Sequence, residues 1–217
     1  MVRKYLILIT LLLSLVVSSS AREKRKYEVG VSVSYGVRVS NNHDNHFGAD
    51  FFGGYKPTEH IVVGAGLNYA YFRGCLLPSG IQYVSVQTDR YHAFRPFVYG
   101  KYDFTPSKNW SPYVGLKIGY GAFLKSKYSF NLLAGYDSGT TVNPEDYAYL
   151  RDMEHTLSIS GNVYSSLDLG ISRNIGKNGS KVSAGVSIEM QPLRYHYFDK
   201  TEAKTGVSIG PYIGFSF

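Results

Sequence analysis

From Tyr27 to Val39 every odd position is apolar, while the even positions hold Glu28, Gly30, Ser32, Ser34, Gly36 and Arg38. Side chains alternate across a strand with period two, so this segment predicts a strand with one apolar face and one small or polar face. The alternation recurs down the chain. A weaker run spans about 47–55. Ile61, Val63, Ala65, Leu67, Tyr69 and Tyr71 mark a third strand, and about 91–104 a fourth. Val114, Leu116, Ile118, Tyr120, Ala122 and Leu124 mark a fifth. Leu157, Ile159, Val163, Leu167, Leu169 and Ile171 mark a sixth. Val182 to Met190 and Val207 to Phe217 supply the seventh and eighth.

The segments between these strands are of two kinds. Lys56-Pro57-Thr58-Glu59, the stretch 105–110 (TPSKNW) and the stretch 174–180 (NIGKNGS) are short turns. The links after strands one, three, five and seven are mostly longer and more polar. They include 73–89, 125–154 and a loop expected from Leu193 to Lys204. Short turns alternating with long loops are the pattern of outer-membrane barrels. The chain is therefore expected to be all-β, an eight-stranded antiparallel up-and-down transmembrane β-barrel, with both termini at the short-turn end.

The polar face decides which way the apolar face points. It carries Glu28, Arg38, Asp50, Asn68, Arg95, Lys101, Lys117, Asn162, Asp168, Glu189 and Gln191. Unpaired charges are very costly in an apolar core, so these residues do not suit the inside of a soluble barrel with apolar filling. A lumen lined by charges of both signs suits them, with Val, Ile, Leu and Tyr facing lipid. Asp50, Lys117, Asp168 and Tyr212 count to similar depth from the short turns, and Asn68, Arg95 and Glu189 lie higher. The expected lumen network is Lys117 with Asp50 or Asp168, and Arg95 near Glu189.

Composition narrows the class. Arg3 and Lys4, the apolar run Tyr5–Val17 and Ser18-Ser19-Ser20-Ala21 read as a secretory signal peptide over 1–21, cleaved after Ala21. The barrel domain is then 22–217. No later apolar run reaches the roughly 20 residues of a membrane-spanning helix. The formal net charge is +7, two of it from Arg3 and Lys4, and the rest is spread along the chain. That spread argues against a nucleic-acid partner. Cys75 is the one cysteine, so no internal disulfide forms. It also lies far from the start of the mature chain, where a lipoprotein would carry its acylated cysteine.

Two stretches carry a resemblance. Ser111 to Gly121 (SPYVGLKIGYG) and Gly206 to Phe217 (GVSIGPYIGFSF) are similar to segments of the porin-like outer membrane protein β-barrel domain family, the small eight-stranded barrels. The second, closing on Phe215 and Phe217, resembles the signal read by the barrel-assembly machinery. The resemblance implies insertion by that machinery, outer-membrane lipid as surroundings and a cell outer-membrane location. It implies no substrate and no cofactor, and eight strands leave a lumen just wide enough for side chains.

Candidate chemistry is sparse. Five of the six histidines map to the long-loop end, and His43 and His46 with Asp44 could hold a transition metal. Polar loops also use these residues without any metal. A hydrolase needs a nucleophile, a His and a carboxylate in reach. Glu154, His155 and Ser158 are the nearest set, but His155 and Ser158 point to opposite faces of a strand. Tyr147 and Tyr149 could form an adhesive patch in the longest loop. Gly115, Gly119 and Gly121 lie on a strand with no helix after them and make no phosphate loop. The expectation is a non-enzymatic structural or surface-binding barrel with an unidentified extracellular ligand. A lipid-modifying hydrolase and a narrow pore are the alternatives.

Overall fold

The computed structural model describes residues 26–39, 45–74, 76–78, 84–124, 126–132, 155–175, 179–197 and 200–217. Eight long strands form the wall: β1 (Tyr27–Arg38), β2 (His46–Tyr55), β3 (Ile61–Phe72), β6 (Tyr91–Asp103), β7 (Trp110–Tyr120), β11 (Val163–Ile175), β12 (Ser180–Tyr197) and β13 (Lys200–Ser216). Each pairs antiparallel with its neighbour. Pairing of β13 with β1 and of β11 with both β7 and β12 closes the sheet. The protein is a closed eight-stranded antiparallel barrel. Closure leaves no free edge in the wall.

Five shorter strands belong to the long-loop end: β4 (Leu76–Pro78), β5 (Val84–Thr88), β8 (Ala122–Phe123), β9 (Ser126–Leu132) and β10 (His155–Ser160). β8 adds to β6, while β10, β9, β5 and β4 extend outward in that order from the upper part of β12. The segments 73–89 and 125–154, read as loops, thus contain strands. The expected loop from Leu193 to Lys204 is instead a tall hairpin. β12 and β13 stay in register from Lys181↔Ser216 to Tyr197↔Lys200. Backbone pairing of a neighbouring strand overrides side-chain polarity there, because alternation above an apolar belt has no lipid to answer to. The sixth strand divides at 161–162 into β10 and β11, so Asn162 lies in the break, where its backbone carbonyl accepts a bond from the Gly121 amide.

The wall is sheared. Partners can be followed once around it, from Glu28 through Gly54, Gly64, Tyr99, Lys117, Ser166, Glu189 and Ser208 to Arg38. The path returns to β1 ten residues above its start. That stagger requires strands tilted by about 40° and fixes a narrow bore.

Outward positions are apolar and exposed: Val31, Val33, Phe51, Leu67, Val98, Leu116, Ile118, Leu169, Ile188 and Ile213 among them. Inward positions hold nearly all the buried charges. Several inward glycines give the lumen rings their space. A Cβ on Gly66 would stand 2.4 Å from the Phe97 ring, and one on Gly119 2.4 Å from that of Tyr164.

Candidate functional site: a stratified lumen

Charged side chains fill the bore in tiers. At the short-turn end Lys101 Nζ donates to Glu28 Oε1 at 2.6 Å, and Lys56 Nζ lies 3.0 Å from Glu28 Oε2. Lys181 reaches Asp103 at 3.1 Å. Glu28 and Asp103 are each 1% exposed, so these lysines are their solvation. Lys56 leaves a turn and Lys181 is the second residue of β12. Their inward course was not read from the sequence, although Lys101 and Asp103 flank Tyr102 in the correct phase.

The middle tier joins three of the residues singled out from the sequence. Lys117 Nζ stands 2.8 Å from Asp50 Oδ2 and 2.9 Å from Asp168 Oδ2. Ser32 donates to Asp50 at 2.9 Å, and Ser166 and Ser187 donate to Asp168 Oδ1 at 2.9 and 2.7 Å. Each carboxylate therefore has both a cation and hydroxyl donors. Tyr212 lies just below, hydrogen-bonded to Tyr113. A cavity of about 50 Å³ separates this tier from the one beneath, space for only a few water molecules.

The upper tier is built on Arg95, which is 1% exposed. Its Nη1 donates to Glu189 Oε2 at 2.9 Å and to Gln191 Oε1 at 3.2 Å, and its Nε donates to Asn68 Oδ1 at 2.7 Å. Asn68 in turn donates to Asp50, which ties the upper tier to the middle one. The guanidinium carbon lies 4.6 Å from the Tyr164 ring centre. Arg supplies this geometry because its planar fork bonds at the edge and stacks on the face.

His46 belongs here as well, and not to a loop. It opens β2, is 4% exposed, and places Nε2 3.2 Å from Glu189. Its ring also packs against Phe72. Inward pleat and the carboxylate on β12 draw it into the bore. His43 lies outside the described residues, as do Cys75, Tyr147, Tyr149 and Glu154. Among the described residues no group of His, Cys, Asp and Glu has the arrangement of a metal site.

Above the polar tiers the filling turns apolar. Ala70, Phe72, Tyr91, Ala93, Ile159, Leu193 and Tyr195 form one buried cluster, with Phe123 against it. Phe72 and Tyr91 stack at 4.7 Å between ring centres and 9° between planes. This lid was not read from the sequence. The signal was present at the top of β3, where Tyr69, Ala70, Tyr71 and Phe72 break the alternation and make both faces apolar.

A second cluster sits on the outer face of the hairpin. Ser160 Oγ and His196 Nε2 share a hydrogen bond of 2.7 Å, and His196 Nδ1 is 3.0 Å from Thr201 Oγ1. The pair comes from adjacent strands, with Ser158 opposite His196 in register. Sequence spacing could not reveal it. The third group is a hydroxyl, which orients an imidazole but does not stabilise its charged form as a carboxylate does.

These features define the class: the fold is that of the small eight-stranded outer-membrane barrels. Neisserial surface protein A is similar to the chain at a TM-score of 0.52 with 14% identity, over 88% of this chain and 96% of that one. The N-terminal barrel of Pseudomonas aeruginosa OprF (TM-score 0.43, 14% identity, 88% and 97% covered) and the outer membrane enzyme PagL (0.40, 14%, 87% and 98%) also align. No family model matches the chain, and no curated protein matches it in sequence. The resemblance read in the sequence thus holds at the level of the fold.

Proposed function

We propose that the chain is an integral outer-membrane barrel with a sealed lumen, serving the envelope structurally or by presenting its tall outer strands to an extracellular ligand. The observation that carries this reading is the inverted pattern of burial: Val33, Leu116, Ile118 and Ile213 face outward, while Glu28, Asp50, Arg95, Asp168 and Glu189 are enclosed. Water does not favour a wall of that kind, and a hydrocarbon layer does. Three tiers of paired charge and the apolar lid above them support sealing over conduction. Signal-peptide cleavage after Ala21 and recognition of Phe215 and Phe217 by the assembly machinery belong to the same reading. The test is membrane fractionation with heat-modifiable migration, together with planar-bilayer recording. Outer-membrane recovery of a folded, non-conducting barrel supports it, and a soluble periplasmic protein overturns it.

A second reading, a surface hydrolase acting on an ester, has one observation in its favour. In the Ser160–His196–Thr201 chain the imidazole can take the serine proton at Nε2 while Nδ1–H is held by threonine. Turnover of labelled lipid A by the folded barrel, lost in Ser160→Ala, would promote this reading. Equal lack of turnover in both proteins leaves the first.

A further inference from the structure

We propose that the groove between the short-turn ends of β7, β11 and β12 is a docking surface for an anionic phospholipid, with Arg173 holding the headgroup phosphate. The proposal rests on the membrane-barrel reading. Among the described residues of the eight barrel strands, the outward side chains that carry a permanent charge are Arg194, on the tall hairpin, and Arg173, at the opposite end. The other outward side chains that wall the groove around Arg173, those of Trp110, Ile171, Ile175, Val182 and Ala184, are apolar or aromatic.

Arg173 is placed for a ligand. It lies opposite Trp110 on β7 and Val182 on β12, two residues from the end of β11. Its guanidinium carbon stands 5.1 Å from the Trp110 ring centre. Stacking occupies the face of the guanidinium and leaves its N–H edge free. No acidic side chain among the described residues pairs with it. A cation with a free fork and no carboxylate partner suits a phosphate, which it can bind through two parallel bonds. The depth also fits. Tryptophan favours the membrane interface, and an outward arginine costs little there but several times more at the midplane.

The groove supplies the apolar half of the ligand site. It has a volume of about 540 Å³, walled by Ile171, Ile175, Val182 and Ala184 beside Trp110 and Arg173. Ala184 pairs with Ile171 across the strands, and it is the small side chain between Val182 and Val186. The missing bulk at Ala184 opens a notch that an acyl chain fills when its headgroup reaches Arg173. A protein partner would need polar groups to match the rim, and the side chains walling this groove offer few: Arg173, Asn174 and the indole N–H of Trp110.

Trp110 is the only tryptophan in the chain, so the site contains its own reporter. The full barrel is placed in phosphatidylcholine bilayers containing one-tenth phosphatidylglycerol, with bromine near the carbonyl end of one lipid class at a time. In wild type, brominated phosphatidylglycerol should quench Trp110 as if enriched about fivefold over its bulk fraction, the effect of one cation facing an anionic lipid. Arg173→Gln should return the quenching to the bulk fraction, and Ala184→Leu should reduce it while Arg173 remains. Quenching by phosphatidylglycerol in plain proportion to its mole fraction in wild type overturns the site. So does equal enrichment of phosphatidylethanolamine. Failure of the membrane reading has a different signature, a tryptophan that no brominated lipid quenches.

Discussion

Arg95 Nη1 donates to Glu189 Oε2 at 2.9 Å across the lumen, although 94 residues separate the two in the chain. The pair is enclosed, and its polar neighbours come from β2 (His46), β3 (Asn68) and β12 (Gln191). Removing one member of such a pair leaves the other charge uncompensated, which costs more than the pair contributes. The same logic governs the tier below.

Lys117→Ala should destabilise the barrel strongly, because Asp50 and Asp168 both lose their cation. The expected loss is about 3–5 kcal/mol, reduced if water enters the space left behind. Urea unfolding in detergent micelles measures it. A second substitution, Asp50→Asn in the Lys117→Ala background, should recover part of the loss. No recovery would mean that the carboxylate was never a burden.

Val33 and Ser32 are consecutive and should respond oppositely to their surroundings. Val33 points outward at 42% exposure, and Ser32 points inward to Asp50. Val33→Arg should cost about 2–4 kcal/mol in a bilayer and much less in short-chain detergent, since the penalty is the charge in hydrocarbon. Ser32→Arg should be sensitive to bore volume and nearly indifferent to bilayer thickness. Unfolding of both variants in lipids of two chain lengths separates them. Matching dependence on thickness would falsify the face assignment.

The apolar lid predicts the electrical behaviour. Wild-type protein should show no steady conductance in planar bilayers, because Phe72, Tyr91 and Leu193 fill the bore above the charged tiers. Phe72→Ala should cost about 3–5 kcal/mol through the cavity it opens. It should still not conduct, since the Arg95 tier remains closed beneath it. Steady wild-type current at low voltage is the outcome that sinks this account.

The terminal residue closes the barrel. The Phe217 amide donates to the Val29 carbonyl at 2.9 Å, and its ring lies edge-on to Phe215 at 4.7 Å between centres. Deleting Phe217 should reduce the amount of heat-modifiable barrel in the outer membrane and increase its degradation. Pulse-chase labelling with fractionation reads both. Normal assembly of the truncated chain would count against a role for the C-terminal aromatic as a signal.

Alternation alone determined the number of wall strands, their inward and outward faces and the short-turn end, because a pleated strand gives every second residue the same surroundings. It put Lys117, Asp50 and Asp168 on one side of the wall. It could not say that they touch, since contact across a bore depends on tilt. Only the ten-residue shear, set by closure of all eight strands, brings β7 level with β2 and β11. The hairpin of β12 and β13, the inward turn of His46 and the Ser160–His196 contact were decided by tertiary structure for the same reason. Each depends on which strand lies beside which, and at what height. The local pattern of a single strand carries neither quantity.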